Sequence, residues 1–399
     1  MTDTAPAVTT APDSPPPANY AASHGVVRVS AKRLALSPWN HHYVDERTVF
    51  GTYGGRLYPL TLGADPEDDY WHLRRVAGLF DVPERPIEVA GPEAEPFLNH
   101  LLTRDMSTIP AGRARYALAC DGGGRILMDG VLIRWSSDRF WYVLADGDFL
   151  GWMRAQASDY DVRITDPESW VLQVQGPRAL DILAAVCDVP LPDPFPYFAA
   201  ETLPIAGQSV LVTRTGWTGE LGFEIYTMPD TDCEALWAAV NVKGSPLGLR
   251  TLSLECMGIR RIEAGILDNG TDMDPTMTPY EVGLGRYVDE SKEEFVGKTA
   301  LSHASREVRL TGITGARAPK PGEALTIDGQ HAGHVRAGAW SPSLECGIGY
   351  AFLDAPLPGS VSQQNPQILI ATGDGTEFIP TALPFLDPEK RLARGLPLD

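Results

Sequence analysis

The sequence lacks the motifs that bind the commonest cofactors and metals. No GxGxxG follows a strand pattern, and neither a P-loop nor an HExxH motif is present. The eight histidines form no spaced cluster, and the adjacent His41 and His42 are expected to point to opposite sides of a strand. We therefore predict neither a metal site nor a nicotinamide cofactor.

Paired cysteines and long apolar runs are also missing. The five cysteines are scattered without a CxxC pair, which indicates reduced thiols and a cytoplasmic location. No apolar run approaches the roughly 18–20 residues that cross a bilayer. The first residues are rich in Ala, Pro and Thr and lack the basic-then-apolar order of a secretion signal. We expect residues 1–25 to be a disordered tail.

Positive charge is scarce. The chain has 33 Lys and Arg against 52 Asp and Glu, which gives a formal net charge of −19 at pH 7. Such a surface repels nucleic acid and anionic lipid, so we expect neither as a partner. An anionic ligand would need a local basic pocket that works against the global field.

The pattern of helices and strands changes along the chain. At about 100–200 residues per domain, 399 residues predict two or three domains. Helix patterns at 65–79 and 252–264 and a strand pair at 115–119 and 126–135 indicate an α+β region over 26–305. From Arg309 onward helix signals vanish and short β-rich stretches alternate with Gly and Pro turns, which predicts a small C-terminal β-barrel over 306–399.

Two segments carry side chains that can bind a ligand or take part in catalysis. At 215–224, three glycines allow sharp turns, Trp217 offers a stacking face, and Glu220 and Glu224 offer carboxylates. A carboxylate can accept two parallel hydrogen bonds from an amino-pyrimidinone ring; the alternative is a glycine-rich hairpin with solvated acids. Asp129 interrupts an apolar strand, where an unpaired carboxylate is costly, so it is either functional or part of a structural ion pair.

An ordered series of motifs extends from about residue 45 to the C-terminus. Its members are Gly-Leu-Phe-Asp-Val at 78–82, Tyr116, Asp129, Gln-Gly-Pro at 175–177, Thr-Gly-Trp-Thr-Gly-Glu at 215–220, Arg-Ile-Glu-Ala-Gly at 261–265, Phe-Val-Gly-Lys-Thr-Ala-Leu at 295–301 and Gly-Tyr-Ala at 349–351. This series resembles the glycine-cleavage T-protein (aminomethyltransferase) family. The resemblance implies a multidomain folate-binding fold, with a cloverleaf arrangement around a central folate cavity and a C-terminal barrel.

The middle of the chain is similar to tetrahydrofolate-dependent demethylases of that family, such as dimethylsulfoniopropionate demethylase. The stretches concerned are 69–73, 87–92, 138–141, 145–146 and 279–285. T-proteins usually have Ser-His-Met where this chain has Pro83-Glu84-Arg85, and two aspartates where it has Met128-Asp129. From these departures we expect that a lipoyl carrier protein is not a partner.

The resemblance also implies the cofactor and the residues that hold it. The cofactor would be tetrahydrofolate, or its 5-methyl or 5,10-methylene form. Glu224 would bind the pterin ring, which Trp217 and Tyr116 would line. Glu220 is a further candidate on the same turn, and Arg261 would meet the pterin or the glutamate tail.

The same resemblance makes Asp129 the acid near the reacting N5 atom. A cationic methyl donor could be held by aromatic faces, for which Trp141 and Tyr142 are candidates, and by the aromatic N-terminal segment that includes Tyr53. We expect methyl transfer between a small methylated molecule and folate N5. Two alternatives stay open: aminomethyl or hydroxymethyl transfer in the T-protein manner, and a non-catalytic folate-binding regulator. The oligomeric state is also open, with a homodimer as one option.

Overall fold

The computed structural model describes residues 30–144, 146–357 and 369–398, so the tail expected over 1–25 lies outside the described residues. Seven α-helices lie in these ranges: α1 Pro66–Arg75, α2 Ala94–Leu101, α3 Leu150–Gln156, α4 Ala179–Val186, α5 Cys233–Gly244, α6 Leu254–Glu263 and α7 Lys298–His303. Short 3-10 helices span Asn40–His42, Ser245–Leu247, Gly285–Tyr287 and Leu392–Arg394.

The strands form two open sheets, a hairpin and a closed barrel. The hairpin pairs β1 Val49–Tyr53 with β2 Arg56–Thr61. Sheet I has the order β5-β6-β7-β4-β8, with β4 Arg85–Ala90, β5 Arg113–Cys120, β6 Ile126–Arg134, β7 Arg139–Leu144 and β8 Arg163–Thr165. Sheet II has the order β10-β11-β12-β9-β3-β13, with β3 Gly78–Val82, β9 Val171–Gln175, β10 Ala200–Ile205, β11 Gln208–Thr213, β12 Gly222–Tyr226 and β13 Arg250–Thr251.

The C-terminal strands close a six-stranded barrel in the order β14-β17-β16-β15-β18-β19. These are β14 Leu310–Gly315, β15 Ala324–Ile327, β16 Gln330–Ser341, β17 Cys346–Leu353, β18 Ile370–Thr372 and β19 Glu377–Thr381. The α+β class with a C-terminal barrel is therefore confirmed. The domain boundaries stay a prediction.

Sheets I and II pack against each other through one face each, because side chains alternate between the two faces of a strand. On sheet I this face carries Ile133 and Trp141, and on sheet II it carries Phe80 and Tyr226, all of which belong to one hydrophobic cluster. The outer faces pack in two separate clusters against helices. Polar residues on the inner faces therefore share the space between the sheets.

The barrel is attached at the C-terminal end of α6. The Tyr350 hydroxyl on β17 donates to the carbonyl of Ile262 at 3.0 Å. The Ser341 hydroxyl at the end of β16 donates to the carboxylate of Glu263. The barrel therefore contacts both the backbone and a buried side chain at the end of α6.

The helix predicted over 65–79 is shorter than expected. It begins after Asp65, whose carboxylate accepts from the Glu67 amide at 2.9 Å, and it ends at Arg75. The apolar residues beyond it form β3, a strand buried along its whole length. A continuous apolar run fits a buried strand as well as a helix, which explains the error. Among the described residues, no helix has the length and hydrophobicity to span a membrane.

We predict that Gly130→Ala destabilises the fold. A Cβ at Gly130 on β6 would lie 2.3 Å from the carbonyl oxygen of Val143 on the neighbouring strand. The strands must separate to admit it, at a cost of about 1–3 kcal/mol in the free energy of unfolding, measured by urea denaturation. The control is Gly122→Ala in the preceding turn, where a Cβ would meet nothing within 4 Å. Equal stability of the two variants would contradict the close approach of β6 and β7.

Candidate functional site

Asp129 lies on the inner face of sheet I. It pairs with Leu118 across β5 and β6, which places it diagonally opposite Tyr116 on the same face. The Tyr116 hydroxyl donates to Asp129 Oδ2 at 2.8 Å, whereas the buried Oδ1 has no partner among the described residues. Burial raises the pKa of Asp129 to about 7, and the charges of Asp268 and Asp272 add to this. The carboxyl group therefore changes its protonation near neutral pH.

A second set of buried polar groups lies on the inner face of sheet II. Glu224 Oε2 accepts from the hydroxyls of Thr215 and Tyr226, each at 2.6 Å, and from that of Thr213 at 3.3 Å. Its Oε1 accepts from Gln173 Nε2 at 2.9 Å. Burial raises the pKa of Glu224, and these hydroxyl hydrogen bonds act in the opposite direction.

Glu84, which directly follows the β3 region, joins this set. The same Gln173 amide donates to Glu84 Oε1 at 3.1 Å. Glu84 Oε2 and Gln173 Oε1 are buried without a partner in the described part of the chain. Burial raises the pKa of Glu84 well above its ordinary value, and the charge of Glu224 adds to this. Two carboxyl groups thus share one amide.

Tyr53 lines a cavity of about 420 Å³, together with Arg85, Asp146 and Phe149, among others. Burial raises the pKa of Tyr53 well above its ordinary value, and the charges of Glu84 and Asp129 are among those that add to this. Tyr53 is half-buried, and neither Asp129 nor Glu224 lines the cavity.

Arg261 and Trp217 lie next to each other, as a shared site requires. The Arg261 guanidinium lies 5.4 Å from the Trp217 ring centroid and 5.7 Å from that of Tyr350. It forms a buried ion pair with Asp272, which is close enough to raise the pKa of Asp129. Arg261 Nε is buried without a partner among the described residues. The cofactor role predicted for both residues stays a prediction.

Glu220 occupies a different environment from Glu224. It is 5 % exposed and forms ion pairs with Arg74 on α1 and Arg260 on α6. Gly219 has a φ of 70°, and a Cβ there would lie 2.5 Å from Ala264 Cβ, so the glycine turn packs tightly against the end of α6. This argues for a structural ion network and against the cofactor contact predicted for Glu220.

Trp141 and Tyr142 are both fully buried, so neither ring presents a free face to a substrate. Trp141 Nε1 donates to Glu88 at 3.0 Å within the core between the sheets. The Tyr142 hydroxyl donates to the carbonyl of Ala117 at 3.1 Å on the outer face of sheet I. The substrate contacts predicted for them stay a prediction, which the burial of both rings in this structure does not favour. Tyr53 is the one of the three predicted substrate residues that lines the cavity.

His41 and His42 also differ from expectation. They lie in the 3-10 helix Asn40–His42 rather than in a strand, and both Nε2 atoms approach Glu234, at 3.3 and 2.9 Å. Among the described residues these three exposed side chains bring possible metal ligands within 4.8 Å of one another. The absence of a metal site stays a prediction. It is no longer supported by the expectation that His41 and His42 point to opposite sides of a strand.

A cluster of cations, which the sequence did not reveal, surrounds Tyr287 and Tyr197. Its members are Arg104, Arg115, Arg214, Arg286, Lys390 and Arg394. The Tyr287 ring lies 4.8 Å from the Arg286 guanidinium and packs against Tyr116 at a centroid distance of 4.8 Å. Burial and the charges of Arg286 and Arg394 lower the pKa of Lys390. These cations concentrate positive charge locally, as an anionic ligand requires in a chain of net charge −19.

The residues fit the cofactor that the resemblance implies. Orphaned acceptor atoms on Asp129, Glu84 and Gln173 suit the N–H groups of a flat amino-pyrimidinone ring. The rings of Tyr116 and Tyr287 provide aromatic walls, and the cation cluster suits carboxylates at the other end of the ligand. The missed residues are scattered along the chain from Glu84 to Arg394, so no local pattern could have joined them.

Comparisons with known proteins show what this chain is similar to. Residues 45–292 match the family described as GCVT N-terminal domain, and residues 308–387 match the Glycine cleavage T-protein C-terminal barrel domain. An aminomethyltransferase of Streptomyces coelicolor is 33 % identical over 353 residues, which cover 85 % of this chain and 94 % of the relative. One of Streptomyces avermitilis is 34 % identical over 319 residues, or 76 % and 85 % of the two chains.

A solved structure has the same fold. The glycine cleavage system aminomethyltransferase T of Bartonella henselae superposes with a TM-score of 0.79 and covers 89 % of this chain and 98 % of its own. Its sequence identity is 24 %, so this similarity concerns the fold.

We predict that Glu220→Gln lowers stability without changing folate affinity. The substitution leaves Arg74 and Arg260 without their shared carboxylate, and breaking a buried pair costs about 3–5 kcal/mol. Thermal unfolding and tetrahydrofolate titration of the folded variant measure the two effects. The matched control is Glu377→Gln on the exposed surface of β19. A loss of affinity at unchanged stability would restore Glu220 as a ligand contact.

We also predict that the cation cluster makes folate affinity dependent on salt. Arg286→Gln removes one exposed charge and should weaken binding by about two- to fivefold at low ionic strength, with a smaller effect in 1 M salt. Calorimetric titration across ionic strengths measures this, and Arg163→Gln on β8 provides a control outside the cluster. Equal affinities of the two variants at low salt would exclude the cluster from ligand binding.

Proposed function

The chain belongs to the glycine-cleavage T-protein (aminomethyltransferase) family, and we propose that it transfers a one-carbon unit from an aminomethyl donor to tetrahydrofolate. The predicted class, a one-carbon group transferase that uses tetrahydrofolate, is confirmed by the family match and by the relatives' names. The comparisons favour the aminomethyl alternative over methyl transfer, which the sequence analysis placed first.

The observation that carries this proposal is the state of Asp129. It is a buried carboxyl group with one oxygen fixed by Tyr116, one oxygen free, and a pKa of about 7. A group with these properties can hold or release a proton at neutral pH, and its fixed position adds a preorganised negative charge. Such a charge stabilises the positive charge that develops on an aminomethyl group as its bond to the donor breaks.

The surrounding residues would hold the reactants. Tetrahydrofolate, when bound, supplies the N5 nucleophile. The acceptors around Glu224 would orient the ring, Tyr116 holds Asp129 in place, and the cation cluster would bind the acidic tail. Holding the donor and the acceptor in alignment lowers the free-energy barrier of the transfer step.

Family membership changes the expected partner. The expectation that a lipoyl carrier protein is not a partner is unsupported, because the solved relative is named as a glycine cleavage system component. We propose a carrier-bound aminomethyl donor. Its arm would enter by the cavity at Tyr53, whose rim includes the exposed residues Gly55, Asp146 and Asp148.

One observation favours a second candidate, methyl transfer from a small cationic molecule. Tyr53 lies in the combined field of Glu84, Asp268, Asp129 and Asp146. A sulfonium or quaternary ammonium group would be attracted by these acids and by an aromatic face. The cytoplasmic location, a homodimer and the alternative of a non-catalytic regulator stay predictions.

Product analysis separates these candidates. The purified chain is incubated with tetrahydrofolate and either an aminomethylated lipoyl carrier or small methylated sulfonium and ammonium compounds. Formation of 5,10-methylene-tetrahydrofolate supports the proposed function, and 5-methyl-tetrahydrofolate supports the second candidate. Folate binding without any transfer would support the regulator and contradict both.

We predict that Asp129→Asn abolishes most of the transfer and removes its pH dependence. With a pKa of about 7, the wild-type carboxylate fraction rises tenfold per pH unit up to neutrality, so kcat/KM should rise with it. The rate loss should reach about 100-fold or more, measured at pH 8. Unchanged pH profiles in the variant would exclude Asp129 as the ionising group.

The same variant should be more stable than the wild type at high pH. A folded-state pKa raised from 3.8 to about 7 means that the stability contributed by protonated Asp129 is full below about pH 4 and is lost as the pH rises through 7. Asp129→Asn should therefore gain about 2 kcal/mol or more at pH 8 and little at pH 4, measured by denaturant unfolding. Equal gains at both values would contradict the raised pKa.

A further inference from the structure

Glu224 has little capacity left for a ligand. Its Oε2 already accepts from three hydroxyl groups, and its Oε1 accepts from Gln173. A carboxylate oxygen has about two lone-pair sites. A ring that offers two parallel N–H groups therefore finds at most one free acceptor site on Glu224 in this arrangement.

The unused acceptors lie on its neighbours. Glu84 Oε2 and Gln173 Oε1 are both buried without a partner among the described residues, and Gln173 is 0 % exposed. An unsatisfied buried acceptor costs about 1–3 kcal/mol, so such atoms need a compensating partner. The two side chains are joined, because Gln173 Nε2 donates to Glu84 Oε1 at 3.1 Å.

The backbone holds Glu84 in this position. Its carbonyl accepts from Arg56 Nη1 at 2.8 Å, and the next residue, Arg85, is fixed by Asp166 and by the carbonyl of Gly54 at 2.8 Å. Gly54 and Arg85 both line the cavity, so Glu84 directly precedes a cavity-lining residue in the chain.

The chemistry of the partner follows from the atoms that are free. Gln173 Oε1 is an acceptor, and Glu84 Oε2 is an acceptor when the carboxyl group is ionised. Burial raises the pKa of Glu84, so a positively charged partner would favour the ionised form in which Oε2 accepts. The two oxygen atoms suit nitrogen-bound hydrogens, above all those of a positively charged or strongly polarised nitrogen. A metal ion is less suitable, because the third atom of the set is the amide nitrogen of Gln173.

We propose that Glu84 and Gln173 form a second acceptor subsite, which binds N–H groups of a ligand beside Glu224. The subsite rests on the proposed function, and Glu224 acts in it as the anchor that holds the Gln173 amide. Two sources supply this chemistry: the amino-pyrimidinone edge of tetrahydrofolate and the amine of the aminomethyl donor.

The test is Glu84→Gln, which keeps the shape and replaces the free acceptor by an amide, with Glu84→Ala as a second variant. Tetrahydrofolate and an analogue that lacks the 2-amino group are titrated against each variant and the wild type. If the ring is the source, we expect the variants to bind tetrahydrofolate at least tenfold more weakly than the wild type does. We then expect the variants to bind the analogue no more weakly than they bind tetrahydrofolate. If the donor amine is the source, folate affinity stays within twofold and KM for the donor rises at least tenfold. Glu377→Gln serves as the control.

Two failures can be told apart. If the wild type binds no folate, the proposed function fails. If the wild type binds and transfers while Glu84→Gln and Glu84→Ala, both folded by circular dichroism, change neither folate affinity nor donor KM by more than twofold, the subsite is overturned and the proposed function stands. A loss in Glu84→Ala that Glu84→Gln fully rescues would also overturn it, since packing alone would then explain the effect.

Discussion

The burial of carboxyl groups between two sheets is the constraint on which the site depends. Asp129 and Glu224 both face the space between sheets I and II, where an ionised group loses its hydration. Hydroxyl groups compensate for this loss: Tyr116 donates to Asp129, and Thr215 and Tyr226 donate to Glu224. Hydroxyl donors are neutral, so they stabilise an ionised carboxylate without neutralising its charge. The carboxylate can therefore still attract a positively charged group of a ligand.

The contrast with Glu220 shows why this matters. Glu220 lies four residues before Glu224, but its carboxylate meets Arg74 and Arg260. The two arginines neutralise the charge of the Glu220 carboxylate, and the two ion pairs connect α1 to α6. Asp129 and Glu84, held by a hydroxyl and an amide, each keep one oxygen without a partner among the described residues, whereas both arginines bind Glu220, which supports the fold.

The sequence predicted the parts of the site that local patterns determine. Asp129 interrupts an apolar strand, which marks it as functional or as part of a structural ion pair, and its place near the reacting atom stays a prediction that the resemblance implies. Trp141 and Tyr142 show the limit of this reasoning, because alternation along β7 sends them to opposite faces and each face is filled by a core. The cation cluster could not be predicted, because Arg104, Arg286 and Arg394 are far apart in the sequence and their charges interact only in the folded chain.

The attachment of the barrel to α6 has a consequence for how the family can diversify. Tyr350 and Ser341 donate hydrogen bonds to the end of the helix that carries Arg261, so the barrel is part of the architecture of the site. A chain that exchanged this barrel for another would have to present a hydroxyl at both places, or the Ile262 carbonyl and the buried Glu263 carboxylate would each lose a hydrogen bond. Recombination between distant relatives is therefore restricted at this junction, and the two parts must evolve together.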